Sequence, residues 1–239
     1  MINTTLHKNI MLRILKDIYT DQSIAPALGF KGGTAAFMFY GLTRFSVDLD
    51  FDLLDVVKED DVFEKVKIIV SQYGKLKESL KKRFNLFFLL SYEERAQNIK
   101  VEINRRNFGS AYHVSNYLGV SMKVMVKQDM VAHKLLAMYE RFNKTNRDIY
   151  DVWFFLQNNW PINRDIVEKR SGMPFKEFLE KCIDLLEKKN DRGILSGLGD
   201  FLTPEQKIWG KAHLRQDTIF NLKVLLDTFP PSKPLTKFG

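Results

Sequence analysis

The spacing of apolar residues changes once along this 239-residue chain, at about Lys127. Before that point the sequence predicts helices at 5–20 and 59–74, and strands at 47–54, 84–93 and 98–106. After it, apolar residues recur at i, i+3 or i+4 almost to the end, as they do in amphipathic helices. The change predicts an α+β fold, with a sheet-containing domain over residues 1–122 and a helical domain over residues 123–239.

The cysteine content and the distribution of apolar residues limit the classes of protein to consider. A single cysteine, Cys182, excludes an internal disulfide and a metal cluster built from cysteines. Charged residues interrupt the N-terminal segment, which predicts an amphipathic surface helix rather than a signal peptide. No run reaches the roughly 18 apolar residues that a membrane span requires. We therefore predict a cytoplasmic protein with no membrane partner.

The chain carries a formal net charge of +8, which favours an anionic partner such as a nucleic acid. Basic residues cluster at 75–84 and at 104–108. Such clusters are either solvated surface or contacts to phosphates, and composition alone leaves both interpretations open.

The segment RFSVDLDF, residues 44–51, places carboxylates inside a predicted strand. Since residues i and i+2 of a strand point to one face, Asp48 and Asp50 lie side by side, and Glu102 can join them from a second strand. Neighbouring carboxylates repel each other unless a cation neutralises them, and Mg²⁺ prefers carboxylate and phosphate oxygens. The three acids are therefore candidate ligands of a two-ion Mg²⁺ site. The alternative is a polar edge strand that faces water.

A glycine pair precedes this acidic strand. KGGT, residues 31–34, lies between a predicted short strand and a helix that starts near Thr34. Backbone N–H groups at such a turn can approach a phosphate, and the start of the helix favours its negative charge. An ordinary tight turn has the same sequence, so the glycine pair gains meaning only from the acids that follow it.

In this order the two segments resemble the signature of the DNA polymerase β-like nucleotidyltransferase superfamily. Within it, FKGGTAAFMFYGLTRFSVDLDFDL is similar to the first motif of the AbiEii/AbiGii toxin family of nucleotidyltransferases. KQDMVAHK is similar to a second motif, and NRDIYDVWFFL to a later Arg-Asp-x-x-Asp element. The similarity covers about residues 30–155. It implies a nucleotidyltransferase-type mixed β-sheet core with flanking helices, followed by a C-terminal helical bundle that completes the nucleotide site.

The resemblance also implies a set of site residues. Asp48, Asp50, Glu102 and Lys134 are expected to be catalytic, and the first three to bind the metal. The nucleotide-binding set is Gly32, Gly33, Thr34, Ser46, Lys127, Asp129 and Asp151.

Several of these residues have a second interpretation. If Gln128 opens a helix, Lys127 and Lys134 lie two turns apart on roughly the same side, where both could reach one phosphate chain. Asp129 could instead cap its own helix, and Asp151 could pair with Arg147 four residues earlier.

Two further residues near the motifs have weaker predictions. Arg44 could brace a carboxylate or merely support the fold. His133 comes one residue before Lys134 and should point to a different side of the helix. We therefore predict that it is packed or surface-exposed and has no catalytic role.

Together these features predict an enzyme that transfers NMP from an NTP to an acceptor hydroxyl with release of pyrophosphate. The family includes toxins of bacterial toxin–antitoxin and phage-defence systems, which implies a separately encoded antitoxin as a partner. The positive charge favours RNA, in particular the 3′ end of tRNA, as the acceptor. Transfer to a protein or a small molecule, and nucleotide or RNA binding without catalysis, are the alternatives.

Overall fold

The computed structural model describes residues 3–94, 97–142 and 144–228. Its helices are α1 (Thr4–Thr20), α2 (Gly32–Phe39), α3 (Glu59–Ser71), α4 (Lys127–Glu140), α5 (Arg147–Gln157), α6 (Arg164–Ser171), α7 (Phe175–Lys188) and α8 (Pro204–Asp227). Its strands are β1 (Leu28–Lys31), β2 (Asp48–Leu53), β3 (Lys75–Lys81), β4 (Asn85–Ser91), β5 (Ile99–Asn104), β6 (Tyr112–Tyr117) and β7 (Val120–Met125). Short 3-10 helices occupy Ala25–Ala27, Val56–Lys58 and Gly199–Phe201.

The strands form one mixed sheet in the order β3-β4-β5-β2-β1-β7-β6. At its centre, β2 pairs antiparallel with β1 and parallel with β5. β1 also pairs parallel with β7, whereas β3–β4, β4–β5 and β6–β7 are antiparallel pairs. The predicted α+β fold is confirmed, including its mixed sheet, its flanking helices and its helical C-terminal part. The strand order makes neighbours of the glycine turn after β1, the aspartates of β2 and Glu102 of β5.

The two faces of the sheet differ in polarity because each strand alternates its side chains. One face is apolar and buried under α1 and α3, where Tyr19 packs against Phe51 and Phe63 packs against Phe88. Each such buried side chain contributes about 1.5–3 kcal/mol of hydrophobic stabilisation. The opposite face of β2 and β5 carries the acids.

The helical half reaches the acidic face through α4 and α5. α4 starts one residue after β7, and α4 packs against α5 and α6, while α8 packs against α5 and α7. An ion pair between Arg44, just before β2, and Asp151 of α5 joins the two halves of the chain. The predicted division at residue 122 falls inside β7, which continues to Met125. The division stays a prediction. Among the described helices, none combines the length and apolar character needed to cross a membrane.

The edge strand β3 and the hairpin β6–β7 were not predicted; β3 and β6 are exposed, whereas β7 buries Met122, Val124 and Met125. β3 is a lysine-rich edge strand, and β6 has its Val114 side chain 68% exposed, so neither has the apolar alternation of a half-buried strand. The turn between β6 and β7 needs positive φ at Leu118 (49°) and Gly119 (82°), a feature of tight hairpins.

Gly74 was predicted as the end of a helix, and its position has another cause. α3 ends at Ser71, three residues earlier. A Cβ atom at Gly74 would lie 2.5 Å from the carbonyl oxygen of Ser91, so glycine is needed for the close approach of β3 to β4.

Candidate active site

The three predicted metal-binding acids meet on the polar face of the central strands. β2 and β5 pair with Asp48 opposite Lys100 and Asp50 opposite Glu102. The Nζ atom of Lys100 lies 3.5 Å from Oδ2 of Asp48 and 3.4 Å from Oε2 of Glu102. The amide of Asn85 donates a hydrogen bond to Oε1 of Glu102. The parallel register thus assembles a cluster in which one ammonium group faces three carboxylates.

This cluster has a surplus of negative charge. Burial raises the pKa of Asp48, Lys100 opposes that shift, and the charge of Asp50 adds to it. Burial acts to lower the pKa of Lys100, but the attraction of Asp50, Asp48 and Glu102 outweighs it and the pKa is raised. Lys100 is therefore a firmly charged ammonium that neutralises only part of the acidic group.

The donor set suits a hard divalent cation, although its side chains are not arranged around an ion. Carboxylate oxygens with surplus charge are the ligands that Mg²⁺ prefers. Over residues 3–94, 97–142 and 144–228, no three acidic, histidine or cysteine side chains form a ready coordination cluster. Lys100 shares the space between the acids. The residues present fit the ion in their chemistry, and the ammonium group of Lys100 lies where it would compete with such an ion.

Asp52, the next acid of β2 on this face, is already occupied by protein groups. Its carboxylate lies 2.5 Å from Nζ of Lys31, accepts a hydrogen bond of 2.7 Å from the amide of Asn104, and accepts another from the Tyr112 hydroxyl. These contacts hold β1, β2, β5 and β6 together at one end of the sheet. Asp52 is therefore a structural neighbour of the acidic site.

The glycine pair lies directly against the side chains of the site. α2 begins at Gly32, whose φ is +80° and where a Cβ atom would lie 2.4 Å from Oδ2 of Asp50. A Cβ atom at Gly33 would lie 2.8 Å from Arg44 and 2.9 Å from the Ser46 hydroxyl. Gly32 thus requires glycine, a side chain at position 33 would displace Arg44 or Ser46, and the first N–H groups of α2 have no acceptor within the helix. This turn offers backbone donors beside the acids.

Thr34 supports the turn from below. Its side chain is fully buried, its hydroxyl donates to the Asp48 carbonyl oxygen, and its Oγ1 lies 2.9 Å from Oγ of Ser46. These contacts tie α2 to the start of β2. Thr34 therefore positions Ser46 and Asp48 and does not face the cavity.

Lys134 enters the site from α4, held by two acids of α5. Its Nζ atom lies 2.7 Å from Oδ2 of Asp151 and 3.1 Å from Oδ1 of Asp148. Arg44 donates two hydrogen bonds to Asp151, at 2.5 and 2.7 Å. Asp151 thus orients a lysine, and Arg44 braces a carboxylate. The alternative pair of Asp151 with Arg147 does not form.

Asp151 is fully buried, yet it is ionised. Burial acts to raise its pKa, but the charges of Arg44 and Lys134 outweigh burial and lower the pKa to about 2. An acid with a depressed pKa stabilises the fold above its ordinary pKa, and the contribution is lost as the pH falls toward 2. The ion pairs of Asp151 are therefore intact at neutral pH.

Two arginines complete the cationic side of the site. Nη1 of Arg147 lies 3.9 Å from Oδ2 of Asp48, and Nη2 of Arg141 lies 2.8 Å from Oδ2 of Asp148. With Lys134 they form a basic surface that faces the acidic cluster. The later motif indicated Arg147 without a role, and nothing in the sequence singled out Arg141.

These groups line one cavity of ≈ 340 Å³, which is within the usual size range of a ligand site. Among the predicted site residues, it is lined by Asp48, Asp50, Glu102, Lys134, Gly32, Gly33 and Ser46. Thr34 and Asp151 lie behind this lining and contact it. Glycine donors, acids and a lysine therefore share one space.

Lys127 and Asp129 lie elsewhere. The exposed Lys127 has its Nζ atom 4.8 Å from the ring centre of Trp160, and two helical turns, about 10 Å, separate it from Lys134. The carboxylate of Asp129 accepts hydrogen bonds from the Ala111 backbone (2.6 Å) and from Asn163 (2.7 Å). It therefore joins two loops, and caps neither its own helix nor a nucleotide in the cavity.

His133 lines the cavity, although we expected it to point away. Its Nδ1 lies 2.7 Å from Nη1 of Arg170, and its Nε2 lies 2.7 Å from the Ser110 hydroxyl. Because arginine only donates, Nδ1 accepts, and the imidazole is neutral. Burial, then the charges of Lys31 and Arg170, lower its pKa to about 3. His133 is thus part of the wall and is unsuited to carry a proton at neutral pH.

Comparison with known structures identifies the fold. A crystal structure of a protein from H. pylori classed as a nucleotidyltransferase superposes with a TM-score of 0.56 at 19% identity, covering 93% of this chain and 97% of the other. JHP933 from Helicobacter pylori gives a TM-score of 0.54 at 18% identity, covering 93% and 94%. Comparison with curated proteins found no match. At such identities the likeness shows a shared fold.

The family itself follows from the sequence. Residues 13–192 match the family described as nucleotidyl transferase AbiEii toxin, type IV TA system. The matched region contains all the site residues described above, from Gly32 to Asp151. This protein therefore belongs to the AbiEii toxin family of nucleotidyltransferases and is a transferase.

Proposed function

We propose that this protein is a Mg²⁺-dependent nucleotidyltransferase that adds NMP from an NTP to the 3′ hydroxyl of an RNA, with tRNA as the preferred acceptor. One observation carries the proposal: a single cavity joins the acids of β2 and β5 to a glycine turn and to Lys134. Family membership implies an NTP substrate and an antitoxin partner. The cytoplasmic location predicted from the sequence belongs to the same proposal.

The triphosphate has a defined place in this scheme. The N–H groups at Gly32 and Gly33 and the hydroxyl of Ser46 donate hydrogen bonds to its oxygens, and Lys134 and Arg147 supply positive charge. Because Asp151 and Arg44 fix Lys134, its charge is in place before the nucleotide binds. The leaving pyrophosphate therefore develops its charge next to a fixed ammonium group.

The acids serve the reacting phosphate. Asp48, Asp50 and Glu102 would hold Mg²⁺, which supplies charge to the phosphate oxygens and lowers the pKa of the attacking hydroxyl. Glu102 also accepts the proton of that hydroxyl, and Asn85 keeps its carboxylate oriented through Oε1. Lys100, which lies 3.5 Å from Asp48, would have to give up that contact if these acids held the ion.

An RNA acceptor is supported by charge and by the rim of the cavity. The chain has a formal charge of +8, and Arg106 and Phe84 are exposed side chains that line the cavity. Cationic and aromatic side chains beside an opening are typical of single-stranded nucleic-acid sites. An enclosed pocket of the same size, without such a rim, would instead favour a small-molecule acceptor.

The test is to incubate the protein with each α-³²P-labelled NTP, Mg²⁺ and total bacterial RNA, and to separate the products on a denaturing gel. We expect label in a tRNA-sized band with one preferred NTP, and no such band with Asp48→Asn. The matched control is Asp184→Asn, at an exposed aspartate of α7. Label only in protein or in a small molecule would replace the RNA acceptor. No label in any fraction would refute catalysis.

A further inference from the structure

Arginine and phenylalanine side chains alternate along one wall of the cavity, which Phe84, Arg106, Phe108 and Arg170 line, and the series continues to Arg83 outside the cavity. The guanidinium carbons of Arg83 and Arg106 each lie 4.9 Å from the ring centre of Phe84. Arg106 is also 5.2 Å from the ring centre of Phe108, and Arg170 is 4.4 Å from the same ring. We call this series, Arg83-Phe84-Arg106-Phe108-Arg170, the arginine–phenylalanine stack. None of the predicted motifs contains it.

Most of its positive charge is available to a ligand. Arg170 pairs with Glu140 at 3.0 Å, whereas no carboxylate within the described residues lies within 4 Å of the guanidinium of Arg83 or Arg106. Nε of Arg106 donates only to the side-chain oxygen of Asn104. The stack thus presents two exposed guanidinium groups, which pair well with phosphates.

Phe84 is an exposed apolar ring on a rigid turn. Its side chain is 45% exposed at the edge of a polar cavity, where burial gives no reason for a phenyl group. Arg105 fixes the turn, because its N–H donates to the Phe84 carbonyl (2.8 Å) and its Nη1 donates to the Lys82 carbonyl (2.9 Å). Glu59 in turn holds Nε of Arg105 at 2.7 Å. The backbone that carries the ring is therefore held in place before any ligand binds.

The sheet order indicates which substrate reaches this ring. The glycine turn follows β1 on one side of β2, while Phe84, Asn85 and Glu102 lie on the β4 and β5 side. In an in-line displacement, the attacking hydroxyl and the leaving pyrophosphate are on opposite sides of the reacting phosphate. With the triphosphate at the glycine turn, the acceptor approaches from the side of Phe84.

We propose that the arginine–phenylalanine stack binds the unpaired 3′-terminal nucleotide of the RNA acceptor, an inference that rests on the proposed function. The terminal base displaces the Arg83 guanidinium and stacks on the Phe84 ring. Arg83 and Arg106 then both pair with the neighbouring phosphate. This arrangement delivers the 3′ hydroxyl to the side of Glu102. It selects single-stranded ends, because a base inside a duplex cannot cover the ring.

The experiment measures binding and transfer separately. Binding uses a 5′-fluorescein-labelled single-stranded 12-nucleotide RNA with a free 3′ hydroxyl, and the same RNA with an abasic 3′-terminal nucleotide. We expect wild type to prefer the intact RNA about ten-fold, and Phe84→Ala to bind both about equally. Phe84→Trp should keep the preference because it keeps a stacking face. The matched control is Phe220→Ala, at a ring of α8 that is 66% exposed and away from the cavity.

Transfer is measured with the same proteins and a labelled NTP. Phe84→Ala should raise KM for RNA about ten-fold and leave KM for the NTP unchanged. Equal affinity of Phe84→Ala and wild type for the intact RNA would overturn the inference, and so would a rise in KM for the NTP alone. If the RNA binds through Phe84 but neither it nor tRNA receives label, the result would instead refute the proposed function and leave the binding site standing.

Discussion

Nζ of Lys134 lies 2.7 Å from Oδ2 of Asp151, and Arg44 binds both oxygens of the same carboxylate. Asp151 and Arg44 are almost completely buried, and their pair joins α5 to the segment before β2. The contact therefore has two consequences: it connects the two halves of the chain, and it fixes a lysine that lines the cavity. With Lys134 in its proposed role, a change at Asp151 is expected to affect stability and catalysis together.

We expect Asp151→Asn to lower the free energy of unfolding by about 3–5 kcal/mol, because it leaves Arg44 as a buried charge without its partner. Chemical denaturation with urea measures the loss, and Asp184→Asn on the surface of α7 is the control, with a change within about 0.5 kcal/mol. A midpoint equal to wild type would show that the buried pair does not stabilise the junction.

Asp48→Asn should have the opposite effect on stability. Burial and the neighbouring charge of Asp50 raise the pKa of Asp48, so its ionised form is unfavourable in the folded state. A neutral amide removes that penalty, and we expect an unchanged or higher Tm at pH 7. Nucleotidyl transfer should fall at least about 100-fold, because the change removes a proposed metal ligand rather than one of its supporting groups. A lower Tm with full activity would contradict both arguments.

The sequence predicted most of those helices and strands in which burial of one face makes apolar residues recur at a regular spacing. β2, β4 and β5 alternate apolar and polar residues because one face lies on the core, and the helices after Lys127 follow for the same reason. The edge strands β3 and β6 are solvated, so their residues follow no such period, whereas β7 buries Met122 and Val124 in alternation and was missed all the same.

The site divides in the same way. The glycine turn, Ser46, Asp48 and Asp50 are within about twenty residues of one another, so local pattern was enough to group them. Phe84 and Arg106 reach the cavity only through the pairing of β4 with β5, whose register is a long-range property. Lys127 matched a motif, but its ammonium lies over the Trp160 ring and does not line the cavity that Lys134 enters, so its role in nucleotide binding stays a prediction.

Lys100 is expected to compete with the metal, because its ammonium lies within 3.5 Å of two of the three acids. Lys100→Met removes that charge and keeps an apolar stem of similar length. We expect it to bind Mn²⁺ about ten-fold more tightly than wild type. The corresponding free energy is a modest part of the electrostatic energy of two unit charges at this distance. Isothermal titration without nucleotide measures the affinity, and Lys77→Met on the exposed strand β3 is the control. Weaker binding by Lys100→Met would mean that Lys100 positions the acids instead.

His133 should make stability depend on pH in mildly acidic solution. Its Nδ1 accepts from Arg170, so protonation would set two donors against each other, and burial with the charges of Lys31 and Arg170 lowers its pKa to about 3. The unfolded chain binds this proton near pH 6.5 and the folded chain does not, so stability falls as the pH drops below 6.5. Between pH 6.5 and pH 4.5 the loss should be about 2–3 kcal/mol.

His133→Gln isolates this effect, because a glutamine can accept from Arg170 and donate to Ser110 without titrating. As the pH falls, wild type should lose more unfolding free energy than this variant. Any advantage of wild type at neutral pH should therefore shrink, or the variant should become the more stable protein. The control is His213→Gln, at an exposed histidine of α8, whose profile should run parallel to wild type. Parallel profiles for His133→Gln and wild type would show that the imidazole accepts its proton in the folded protein, and hence that the bond from Arg170 does not hold it neutral.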